Sequence, residues 1–65
     1  MSFVKSQEEK RANLVMQIRE VIDSAEAEGR GLDAAEMEKI NRIEADISAV
    51  GESIEVAKRN EERSF

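Results

Sequence analysis

No cysteine, histidine, proline, tryptophan or tyrosine occurs in these 65 residues, and phenylalanine occurs twice. Each absence removes a class of chemistry. Without cysteine there is no disulfide framework, no thiolate nucleophile and no zinc–sulfur site. Without histidine the commonest general base near neutral pH is missing, and so is the commonest transition-metal ligand. No apolar run approaches the ~18 residues of a membrane-spanning helix. The opening MSFVKSQEEKR has no apolar stretch of the signal-peptide kind. The expectation is a soluble, intracellular chain with no membrane partner. Basic residues are also in deficit: ten Lys and Arg face 15 Asp and Glu, for a net charge of −5. Binding nucleic acid needs a basic patch that displaces counterions, so no nucleic-acid partner is expected.

What is present is helix grammar. The stretch from 5 to 28 is rich in Glu, Lys, Arg, Ala, Gln and Leu, all good helix formers. Leu14, Ile18, Val21 and Ala25 follow one another at helical spacing, and Val15 and Ile22 widen the stripe. Gly29-Arg30-Gly31 then interrupts it, because glycine accepts the left-handed backbone that ends a helix. Three start signals for a second helix converge on Asp33. Asp33 itself can cap the first turn, and Glu36 completes a capping box. Leu32 and Met37 can close a hydrophobic staple over it. Beyond it, Ile40, Ile43, Ile47, Val50, Ile54 and Ala57 are spaced three, four, three, four and three, a heptad seam. Gly51 beside this seam reads as a tolerated weak point ahead of a kink or a close helix approach.

The expected fold is all-α: an antiparallel, coiled-coil-like two-helix hairpin with helices over 5–28 and 34–62, a turn over 29–32, and frayed tails at 1–4 and 63–65. The expected core and self-association residues are Leu14, Ile18, Val21, Ile22, Met37, Ile40, Ile43, Ile47, Val50 and Ile54. The turn and cap residues are Gly29, Gly31, Leu32, Asp33 and Glu36. A chain this short rarely builds a core worth more than ~3–5 kcal/mol without a staple. Self-association into a helical bundle is therefore expected, and Val15, Ile22 and Val56 lie outside the narrow seam as a second contact surface.

Candidate chemistry does not survive inspection. Glu8-Glu9, Glu26 with Glu28, and Glu61-Glu62 are acidic pairs on exposed helix faces, where solvated charge is the ordinary role. The capping box already accounts for Asp33 and Glu36. Ser24, Ser48 and Ser53 have no histidine or cysteine to activate them. Gly29-Arg30-Gly31 lacks the strand before it and the Lys-Ser/Thr after it that a phosphate loop requires. Arg30 is expected to sit at the negative end of the first helix rather than read a partner's carboxylate. Lys39 is expected to pair with Glu36 or on the Glu38 side. No catalytic, cofactor-binding or metal-binding residue is expected, and no enzyme.

One stretch carries a resemblance. AEAEGRGLDAAEMEKINRIEADISAV, residues 25–50, resembles the N-terminal scaffolding segment, or delta domain, of tailed-bacteriophage major capsid proteins of the Hong Kong ninety-seven type. The matching residues are Ala25, Glu28, Gly29, Arg30, Leu32, Glu36, Ile40, Ile43, Glu44, Ile47 and Ile54, and RANLVMQIREVID upstream is similar to that family's first helix. Asp33 stands where the family usually has Thr, a harmless exchange for a cap. Family members continue into a shell-forming α/β domain, so the resemblance implies that this chain is a segment excised from a longer subunit. It implies a role inside the prohead, in the bacterial host cytoplasm, guiding assembly through weak helix contacts before proteolytic removal. The implied partners are other copies of the chain, the rest of the capsid subunit, and the prohead protease or portal. The alternative is a stand-alone acidic coiled-coil adaptor that captures a partner helix in its groove.

Overall fold

The computed structural model describes residues 2–63. Two helices, α1 (Phe3–Ala27) and α2 (Ala34–Glu62), pack side by side as an all-α hairpin. The chain forms a rod of 55 × 19 × 11 Å. The helices run antiparallel: the turn joins one pair of ends, and Lys58 Nζ reaches Glu8 Oε2 at 3.8 Å near the other.

The second helix begins where its start signals place it, and it runs to Glu62. The Glu36 amide donates to Asp33 Oδ1 at 2.8 Å, and the Asp33 amide donates to Glu36 Oε1 at 3.1 Å. Both arms of the capping box are therefore closed. The first helix begins at Phe3, two residues before its expected start. Ser2 caps it by accepting from the Lys5 amide at 3.0 Å. The Ser6 amide donates to the Ser2 carbonyl, and Val4 packs against the core. The expected fraying of 1–4 is thus corrected for residues 2–4. At the other end Arg63 caps α2, its amide donating to the Arg59 carbonyl at 3.2 Å. Residues 1, 64 and 65, also expected to fray, lie outside the described residues.

The first helix ends at Ala27. The Arg30 amide donates back to the Ala25 carbonyl at 3.1 Å, and the Gly29 amide to the Glu26 carbonyl at 2.9 Å. This crossed pair is a Schellman ending, which needs a left-handed residue. Gly29 supplies it at φ 66°.

The core is one line of side chains from each helix. Leu14, Ile43, Val50 and Ile54 form its centre, with Val4, Ile18 and Ile47 packed against them. Val21 and Ala25 are buried nearer the turn. No polar or charged side chain is buried among the described residues. The core is thin, and even Ala25 and Ile54 retain 3% of their surface. Two expected core residues lie outside it. Ile22 is 43% exposed and Met37 is 54% exposed. Met37 stands about 120° around α2 from Ile43 at 100° per residue, too far round for the facing helix to cover. Leu32 is exposed as well, so the expected staple shields little surface.

Candidate functional site

Two features stand out: a polar clasp at the turn and an uncovered apolar side along the rod. The clasp is centred on Arg30. Its Nη1 and Nη2 donate to Glu36 Oε1 and Oε2 at 2.7 and 3.0 Å, a fork matched to a carboxylate. Its Nε donates to Glu28 Oε1 at 2.8 Å, and Nη1 also donates to the Gly31 carbonyl at 3.0 Å. Arg30 therefore ties the last residue of α1's ending to the first turn of α2. Arg30 stands just past the C-terminal end of α1, and the carboxylates it takes belong to its own chain. These contacts correct the expected partner of Glu36, which is Arg30 and not Lys39.

The electrostatics follow from these contacts. Hydrogen bonds from Arg30 and from the Asp33 amide hold the Glu36 carboxyl down at about 2, against an ordinary 4.5, while partial desolvation opposes them. The same contacts, with Glu36 first and Glu28 second, push the Arg30 guanidinium further above its ordinary value. All the donors and acceptors of the clasp lie within residues 28–36, so its groups are already committed to one another. It closes the turn and leaves no vacant fork for a ligand.

The second feature comes from the helical wheel. Rotating in chain direction from the buried line of α1 leads to Ile18, Ile22 and Val15. The same rotation from the Ile43–Val50 line of α2 leads to Ile47 and Ile40. Equal rotations on two antiparallel right-handed helices lead to the same side of the pair. Ile18, Ile40 and Ile47 are half-buried there, while Val15 and Ile22 are exposed. Val15, Ile18, Arg19, Ile22 and Asp23 line one shallow groove. The opposite rotation leads to Gln17 and Ser24 on α1 and to Lys39 and Asp46 on α2. There Gln17, Ser24 and Lys39 line a shallow polar depression with Glu20, Val21 and Glu36. Toward the open end this second side is apolar too, where Phe3, Ala49, Val56 and Ala57 line a shallow groove with Glu52 and Ser53.

The expected site residues divide accordingly. Leu14, Val21, Ile43, Val50 and Ile54 are buried between the helices. Ile18, Ile40 and Ile47 are half-buried at the edge of the apolar side. Ile22 lies on that side in the open, and Met37 is exposed beyond its edge. Gly29, Gly31, Leu32, Asp33 and Glu36 form the turn, where Gly31 contributes its carbonyl to Arg30 and not a positive φ. Sequence reasoning missed the Arg30 clasp and the Ser2 cap. Ser2 lacked the acidic residue three positions on that marked Asp33, since Lys5 stands there.

Among the described residues, no group of three or more carboxylates or other ligating side chains is placed to hold a metal ion. No helix among them is long and apolar enough to cross a membrane. The fold defines a class: an all-α helical hairpin that leaves several apolar side chains exposed. Comparison with protein-family models, with curated proteins and with solved structures finds no match to this chain.

Proposed function

We propose that this hairpin is a weak self-association module, and that it serves as the internal scaffolding segment of a tailed-phage major capsid protein. The observation that carries the first part is the uncovered apolar side. Val15 and Ile22 stand in the open beside a core in which no side chain is fully buried. A two-helix rod cannot cover this side by itself, and another helical surface can. The second part rests on the resemblance of residues 25–50 and of the helix before them. A thin hairpin supports it physically. Contacts between such rods are individually weak and so can be corrected during assembly. Repeated around a ring of tethered subunits, they add through effective concentration. In this reading the partners are other copies, the remainder of the subunit, and the protease or portal of a prohead in the bacterial cytoplasm.

The test is to read the source gene past codon 65. The capsid assignment expects the frame to run on into a mixed α/β shell domain. A stop directly after Phe65 removes that assignment and favours the adaptor reading. An adaptor's signature is a monomer that gains helicity only with its partner helix.

A further inference from the structure

The seams of the two helices are one pattern repeated 36 residues apart: Val4, Leu14, Ile18 and Val21 become Ile40, Val50, Ile54 and Ala57. Thirty-six residues make ten turns of an α-helix. With residues 28–33 helical, both seams would therefore fall on one face of one continuous helix. From Val21 the line would run through Ala25, Gly29, Leu32, Glu36 and Ile40 to Ile43, in steps of four, four, three, four, four and three. These are two 11-residue repeats, which unwind a left-handed supercoil locally and keep its seam. The chain has no proline to forbid helix there. Leu32 changes most. In the hairpin it is 36% exposed, whereas on the continuous helix it lies on the seam, 18 residues from Leu14 and 18 from Val50.

We propose that Gly29-Arg30-Gly31 is the hinge of a domain-swapped dimer, in which each chain is one continuous helix and its α1 packs on α2 of a second copy. This goes beyond association through the uncovered side, because it uses the buried seam. That seam names the occupant: α1 already packs on α2, and a second copy presents the same α2. The hairpin register sets the geometry. Glu8 meets Lys58, and their midpoint is residue 33, so the two-fold axis passes beside Leu32 of both copies. Contacts between α1 and α2 are then made between chains instead of within one. The difference lies in the turn. The hairpin keeps the Schellman bonds at Gly29 and the Arg30 clasp. The swapped form gives these up, bears the poor helix propensity of two glycines per chain, and gains the helix through the turn and the Leu32 pair. The turn thus favours the hairpin, and rising concentration opposes it.

The test is the distance between spin labels at Lys10→Cys and Glu55→Cys, by double electron–electron resonance on labelled chain diluted into unlabelled chain. The sequence has no cysteine of its own, so both labels are site-specific, and both positions are exposed. In the hairpin the labels lie across a rod 19 Å wide. In the swapped dimer 45 residues of helix hold them ~68 Å apart. Closure through a short connection has an effective concentration in the millimolar range. The parent should therefore give the short distance at ~10 µM and add the long one at ~1 mM. Gly29→Ala with Gly31→Ala should reach the same long fraction at a concentration at least ~100-fold lower, since each alanine favours helix in both chains. Leu32→Glu in that background should reverse the gain by at least ~10-fold through the charge placed at the axis, and keep the helicity, since Leu32 is exposed in the hairpin. A parent that keeps the short distance alone at ~1 mM overturns the proposal. So does a double-alanine variant that sediments as a dimer with the short distance alone, a result that leaves the self-association reading standing. A long fraction unmoved by the two alanines removes the hinge, and one unmoved by Leu32→Glu removes the continuous seam.

Discussion

At the turn end of the hairpin, Arg30 binds Glu28, Glu36 and the Gly31 carbonyl at 2.7–3.0 Å, beside a closed capping box and a Schellman ending. At the open end, the ion pair between the helices is Lys58 to Glu8 at 3.8 Å, with both side chains exposed. The two ends are therefore held by different forces. Short-range hydrogen bonds set the geometry of the turn. The open half depends on Leu14, Val50 and Ile54, with Val4 packed against them. Local polar contacts fix direction well but add little net free energy when exposed, whereas apolar burial adds more and specifies less. The hairpin uses the first to aim its helices and the second to hold them.

Substitutions can break this contrast. The largest effect is expected from Ile54→Asp, which places an unpaired carboxylate at a position 3% exposed. A loss of ~3–5 kcal/mol, the range for an uncompensated buried charge, equals the whole stability expected of so small a core. The helical circular dichroism signal at 25 °C should collapse, and a helical Ile54→Asp variant would show that the open half is not held by its core. Next comes Gly29→Ala, at a φ of 66°, which should cost about 1–2 kcal/mol of left-handed strain. Gly31→Ala, where φ is not positive and nothing stands within 4 Å, should change stability by less than ~0.5 kcal/mol. Equal urea midpoints for the two variants would remove the Schellman argument.

Gly51→Ala acts in the opposite direction. An added Cβ there meets nothing within 4 Å, so thermal unfolding should move upward by the equivalent of ~0.5–1 kcal/mol of helix propensity. A drop in melting temperature would mean that another helix passes close to Gly51.

The clasp is sharpened by pH. The Glu36 carboxyl is lower in the folded chain, at about 2, than its ordinary 4.5. Its contribution is therefore full above about pH 4.5 and is lost as pH falls toward 2, because the unfolded chain takes up the proton first. Arg30→Ala should flatten this part of the acid unfolding profile and leave the neutral fold in place. An unchanged acid slope would separate Glu36 from the clasp. The smallest effect is expected from Lys58→Ala. Its ion pair is long and exposed, so the change should stay within ~0.5 kcal/mol and vanish in high salt. A larger, salt-independent loss would show that the open end is clamped by charge after all.

Much of this molecule is readable without coordinates. The start of α2 is legible because its signals, Asp33 and Glu36, lie within one helical turn and act through the backbone of that same turn. Gly29 is legible because the left-handed residue of the helix ending has a residue-type preference. The heptad spacing of α2 placed Ile43, Val50 and Ile54 in the core, since that pattern is a property of one helix alone. The Ser2 cap escaped notice because it lacks the second half of the box.

Sequence by itself determined two helices, their turn and the apolar stripe of each. These depend on contacts within a few residues, where spacing and side-chain chemistry suffice. Only the tertiary structure decided which carboxylates Arg30 takes, since Glu28 and Glu36 meet the same guanidinium only once the turn has folded. It also decided that Ile22 and Met37 stay exposed while Val4 joins the core. A stripe wider than one facing helix can cover is resolved by where that helix lies, and one helix leaves the rest of the stripe in water.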